Sequence, residues 1–74
     1  METAEATKEK SLGEKRVRVE FNPSQNSEVD QIKQKAAELI NLIENVKAKD
    51  PRLASLAQTA IEEGAMWGVK AATA

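Results

Sequence analysis

With 74 residues and neither Cys nor His, the chain has room for one domain and lacks the side chains of a disulfide framework or a His/Cys metal site. Its 11 basic and 12 acidic residues leave a net charge of −1, which argues against a dedicated binder of long nucleic acid; no apolar run nears the roughly 18 residues that cross a bilayer. A core of this size supplies only about 3–5 kcal/mol, so self-assembly is the remaining route to stability. No acidic loop resembles a calcium loop, and no cofactor is expected. The N-terminus has no signal-peptide core, so the expected product is soluble and intracellular, without a membrane partner.

Residues 1–14, METAEATKEKSLGE, are small and charged without a period and read as a disordered tail. Residues 15–27 read as an extended arm and loop. In KRVRVEF, Val17, Val19 and Phe21 alternate with Arg16, Arg18 and Glu20, the period of a half-buried strand ended by Asn22-Pro23-Ser24. A lone strand this short needs a partner: a second copy, the helices, or a ligand.

Residues 28–74 read as a helical hairpin. Ser27 and Asp30 have the capping-box spacing at the start of a helix over about 28–47. Its apolar positions Val29, Ile32, Ala36, Leu39, Ile43 and Val46 form a heptad seam that Ala37, Ile40 and Leu42 widen, so it must bury two sides. Lys47 and Lys49 suit the negative end of that helix dipole. Asp50-Pro51 then starts a second helix, as N-cap and first helical residue. Apolar residues at Leu53, Leu56, Ala57, Ala60, Ile61, Gly64, Trp67 and Ala71 share one face of it. A short connection makes the two helices antiparallel neighbours. The expected fold is therefore all-α: an antiparallel two-helix hairpin with a short extended N-terminal arm, assembled as a homo-oligomer.

Catalysis is disfavoured. Without His, Cys or Tyr there is no ordinary nucleophile–base pair, and Glu62-Glu63 diverge by about 100° on a helix, too far to act as a dyad. Binding fits better. Arg52 stands in the first helical turn, where free N–H groups also attract anions. Thr59 lies two turns on along nearly the same stripe, with Ser55 between and to one side. Lys33 borders the seam of the first helix, where its stem can cover apolar surface while its ammonium reaches a phosphate. Phe21 can stack on a nucleobase. Trp67 reads as a core or interface anchor.

The second helix resembles a phage-encoded family. Arg52, Ser55-Leu56-Ala57, Thr59, Glu62-Glu63 and Met66-Trp67 keep the order and spacing of R-x-x-S-L-A-x-T-x-[LI]-E-E-A-x-M-W-A. Ile32-Lys33-Gln34 in the first helix and Phe21 with Pro23 in the arm agree, so the resemblance spans about residues 16–73. The family is that of the anti-CBASS and anti-Thoeris sponges. The resemblance implies a non-enzymatic immune-evasion protein acting in the host bacterial cytoplasm. It would assemble as a homohexamer and sequester cyclic dinucleotides, cyclic trinucleotides or cyclic ADP-ribose isomers. By position, Arg52 and Thr59 would line a pocket on a three-fold axis. Lys33 and Phe21 would hold phosphate and base in a pocket between paired hairpins, where the family carries Tyr in place of Phe21. Gly64 stands where the family has Ala, and Gly68-Val69-Lys70 replaces Ala-Asn-Ala. The rival reading is a structural or adaptor hairpin that only multimerises or docks a protein partner.

Overall fold

The computed structural model describes residues 10–23 and 25–74. Most of the segment read as a tail, residues 1–9, lies outside the described residues, as does Ser24. The described chain holds three helices, α1 (Leu12–Val17), α2 (Ser27–Glu44) and α3 (Pro51–Ala72), and among the described residues there is no strand.

The extended arm is therefore corrected to a short helix and a turn. Ser11 caps α1: its Oγ accepts from Glu14 N–H at 3.2 Å, and the Glu14 carboxylate accepts from Ser11 N–H at 2.9 Å. This reciprocal pair satisfies two backbone donors that a helix start leaves open. A solitary strand has no such internal satisfaction, so the local contest goes to the helix. Val17 is buried, and Val19 packs beside it against Ala37, Ile40 and Ala65. Gly13 lets α1 sit directly on the α2 backbone, because a Cβ there would stand 2.1 Å from the Ala37 carbonyl oxygen. Asn41 of α2 fastens the junction: its Oδ1 accepts from Gly13 N–H at 2.8 Å, and its Nδ2 donates to Ser11 Oγ at 3.0 Å.

The start of α2 also differs from expectation. The cap is Asn26 rather than Ser27, with Oδ1 accepting from Glu28 N–H (2.7 Å) and Val29 N–H (3.2 Å). Asn26 Nδ2 in turn donates to the Ala72 carbonyl at the far end of α3, at 3.4 Å. The regular helix stops at Glu44, three residues before the expected end. Residues 45–49 continue as turns, with bonds such as Val46 N–H to Ile43 O and Lys49 N–H to Val46 O, both 3.0 Å. Asp50 caps α3 as expected, accepting from Leu53 N–H at 3.0 Å, with Pro51 in the first turn.

Contacts between α2 and α3 climb one helix while descending the other: Asn26 with Ala72, Ile32 with Gly68, Ile40 with Gln58. The core is small, comprising Val17, Ala37, Ile40 and Ala65 with Ile32, Ala36 and Ile61 around it. Gln58 is fully buried within it, donating through Nε2 to the Ile40 carbonyl (3.1 Å) and to Glu44 (2.8 Å).

The face of α3 that meets α2 is not the stripe the spacing singles out. Ala54, Gln58 and Ala65 are buried, whereas Leu53, Leu56, Met66 and Trp67 are exposed, Trp67 at 62 %. The buried row lies roughly 100° around the helix from the expected one. On α2, similarly, Val29, Lys33, Ala37 and Ile40 are buried, while Leu39 and Leu42 are exposed, as is Val46 in the turns that follow. The small residues of α3 allow the helices to close on each other, and the large ones are left outside. On a helical wheel, Leu39 of α2 and Leu53, Leu56 and Trp67 of α3 fall on the side of the helix pair away from α1. That bare side exposes these apolar side chains together with the polar Glu28, Gln31 and Lys35.

A candidate ligand cavity beside the first turn

α1 ends at Arg18, whose backbone is left-handed (φ 56, ψ 57) and reverses the chain over residues 18–20. This places Phe21 over α2, one turn of chain from Val17. Lys33 reaches up from α2 to hold the reversal: Nζ donates to the Arg18 carbonyl at 3.0 Å and to the Phe21 carbonyl. Lys33 is therefore buried, at 7 % exposure, and is no free surface cation. Burial first, and the Arg18 guanidinium second, draw its pKa below the ordinary lysine range.

The turn, α1, α2 and α3 line a half-open cavity of about 400 Å³. Arg16, Arg18, Lys33 and Phe21 stand on one side of it, and Glu62, Met66 and Val69 of α3 on the other. Phe21 is 55 % exposed, with the Arg18 guanidinium 4.6 Å and the Lys33 ammonium 5.4 Å from the centre of its ring. Arg16 is committed elsewhere: Nη2 pairs with Glu62 at 2.7 Å, Nε donates to the same carboxylate at 2.9 Å, and Nη2 also reaches Thr59 Oγ1 at 3.4 Å. The walls thus carry three cations, one carboxylate and an open aromatic face. That set suits a ligand combining a planar ring with negative charge.

Of the residues singled out by sequence, Phe21 and Lys33 come together here. Thr59 is exposed and touches the site only through Arg16. Arg52 and Ser55 are exposed in the first turns of α3 and line no part of this cavity. Arg52 lies about 15 Å along the axis from Glu62, and no ion pair holds it among the described residues. From the sequence, Arg16 and Arg18 stand only as the outward half of a strand, and Glu62 only as one of two diverging acids and a residue of the family motif. The Ser11-Leu12-Gly13-Glu14 capping box is the sequence signal that puts Arg16 on a helix and Arg18 at its end rather than on a strand.

A second concavity of about 540 Å³ lies on the bare side, between Glu28, Gln31, Ile32 and Lys35 of α2 and Gly68, Ala71 and Ala72 of α3. Among the described residues, no three His, Cys, Asp or Glu side chains converge to hold a metal ion, and no helix is long and apolar enough to cross a membrane.

Fold and cavity together describe a small helical-hairpin module with a basic, aromatic recess. A family model, the Acb2/Tad1 hairpin domain, matches residues 13–73, and the chain belongs to that family. The match agrees with the anti-CBASS and anti-Thoeris resemblance carried by Arg52, Thr59, Glu62-Glu63 and Met66-Trp67, and the role of that family is, in general, that of a cyclic-nucleotide sponge. No curated protein and no solved structure matches the chain.

Proposed function

We propose that this chain is a non-catalytic sponge that binds cyclic nucleotide messengers of bacterial anti-phage defence and lowers their free concentration below the threshold of the effector. The observation that carries the reading is the recess between α1 and α3, where an exposed Phe21 ring stands beside Arg18 and Lys33. Its volume of about 400 Å³ falls within the range of small-molecule sites. In this reading Phe21 stacks on a base of a cyclic dinucleotide or cyclic ADP-ribose isomer, and Lys33, its ammonium tied to the Arg18 and Phe21 carbonyls, holds the turn that sets the ring and the neighbouring positive charge against the phosphates. Arg52, Thr59 and Ser55 serve a separate site completed by other copies, suited to a cyclic trinucleotide.

The bare side supports assembly, since Leu53, Leu56 and Trp67 would not remain in water on a free hairpin without cost. We assign the assembly as a homohexamer in the host cytoplasm. The same surface also favours the rival, a purely structural or adaptor hairpin. Native mass spectrometry of the protein, alone and with a panel of cyclic di- and trinucleotides and cyclic ADP-ribose isomers, separates the two. A six-chain species that retains ligand, with trinucleotide lost in Arg52→Ala and smaller ligand lost in Phe21→Ala, is the expected result. An assembly that retains no member of the panel would leave the adaptor reading standing.

A further inference from the structure

We propose that Arg18 is a ligand-binding residue of the cavity, the one that receives the ligand's anionic group beside the ring stacked on Phe21. The proposal rests on the sponge reading and adds to it a residue that neither the spacing of the sequence nor the family motif singled out.

Three cations line the cavity, and two are already engaged. Arg16 is neutralised by Glu62 at 2.7 Å. Lys33 spends its ammonium on the carbonyls of Arg18 and Phe21. Arg18 has no carboxylate partner among the described residues; its side-chain contact is the Phe21 ring, 4.6 Å from the guanidinium. Its charge is the one available to an incoming anion. A planar guanidinium also offers paired N–H donors that match phosphate oxygens.

The backbone gives a second, independent reason. Arg18 sits in the left-handed region (φ 56) at the C-cap of α1, where glycine fits without steric cost. Nothing in the turn calls for a long side chain at that position: the cap is made by backbone groups, with Arg18 N–H donating to Lys15 O at 3.3 Å and Phe21 N–H donating to Arg18 O at 2.8 Å. A strained conformation held at a cavity wall, on the residue whose charge is free, points to a task for the side chain. With Phe21 beside it, the pair asks for a ring and an anion close together, the chemistry of a nucleoside phosphate.

Arg18→Gly tests this, because it removes the side chain while easing the backbone. The measurement is calorimetric titration with the member of the cyclic dinucleotide and cyclic ADP-ribose panel that binds the wild type most tightly, at several salt concentrations, beside a thermal melt. We expect Arg18→Gly to melt at or above the wild type, to bind about tenfold more weakly, and to show a shallower salt dependence. Arg18→Lys, which keeps the charge and loses the fork, recovers part of the affinity. Unchanged affinity in Arg18→Gly would overturn the proposal and leave the sponge reading intact. So would weaker binding with an unchanged salt dependence, which would mark Arg18 as a cap alone. A wild type that binds no member of the panel would remove both.

Discussion

Gly13→Ala tests the docking of α1, on which the cavity depends. The new methyl carbon would meet the Ala37 carbonyl oxygen at 2.1 Å, its carbonyl carbon at 2.7 Å and its Cα at 2.8 Å. These are backbone atoms of a packed helix and cannot swing aside, so α1 must lift by roughly 1 Å to restore ordinary contact. Lifting stretches the bond from Gly13 N–H to Asn41 Oδ1, now 2.8 Å, and that from Asn41 Nδ2 to Ser11 Oγ, now 3.0 Å. Overpacking costs about 1–3 kcal/mol and each lost bond about 1 kcal/mol, against about 1 kcal/mol gained in helix propensity. The net expectation is a loss of about 2–4 kcal/mol in the stability of the α1 segment. Hydrogen exchange reports it directly: amide protection at Val17 and Val19 should fall by at least tenfold, at fixed protein concentration, while the centre of α2 changes less. Equal protection in the variant and the wild type would refute the close-approach argument.

Lys33→Met keeps the length of the stem but removes the donor to the carbonyls of Arg18 and Phe21. Charged donors are worth more than neutral ones, but this one is partly desolvated, so a net loss of about 1–2 kcal/mol is expected in urea unfolding; a more stable variant would contradict it. The Glu44 carboxyl is held below its ordinary pKa, first by the hydrogen bond from Gln58 and then by that from Lys47. A depressed carboxylate contributes stability that is present above its unfolded pKa and is lost as pH falls through the folded value. Melting temperature should therefore fall with acidification below the ordinary glutamate range, and Gln58→Leu should flatten that limb. An acid limb identical in both proteins would remove Glu44 as its source.

The helices of the hairpin were legible because their signals are local. Asp50-Pro51 spells a helix start, and the apolar spacing of residues 29–46 spells a helix, whichever way each face finally points. The orientation of α3 was less legible, because its stripe is shared between two customers. Spacing marks Leu53, Leu56, Ala60, Gly64 and Trp67, but the hairpin partner takes Ala54, Gln58 and Ala65. A fully buried glutamine carries no hydrophobic signal; its place is set by the Ile40 carbonyl and the Glu44 carboxylate. The N-terminal segment misled through its alternation, which counts side chains and ignores where the backbone bonds go. Lys33 and Phe21 could be paired from the family pattern, but the position of Arg18 beside them follows from a left-handed turn that composition does not announce.

The two sides of the hairpin allow assembly and binding to be separated by mutation. Leu56 lies on the bare side away from α1, whereas Met66 stands on the rim of the cavity on the α1 side, and both are exposed. A contact between copies through the bare side leaves the cavity open to water. A cavity completed by a second hairpin needs a contact near Met66 as well. Leu56→Asp places a charge in the first kind of contact and should shift sedimentation to smaller species, while the recess itself stays intact. Met66→Glu adds a second carboxylate opposite Arg18 and should weaken an anionic ligand through like-charge repulsion. If the recess works within one chain, Met66→Glu lowers affinity without changing sedimentation. If it works only between paired hairpins, both readouts fall together. Sedimentation and affinity that are both indifferent to Met66→Glu would take the cavity out of the site and leave Arg52 and Thr59 as its remaining candidates.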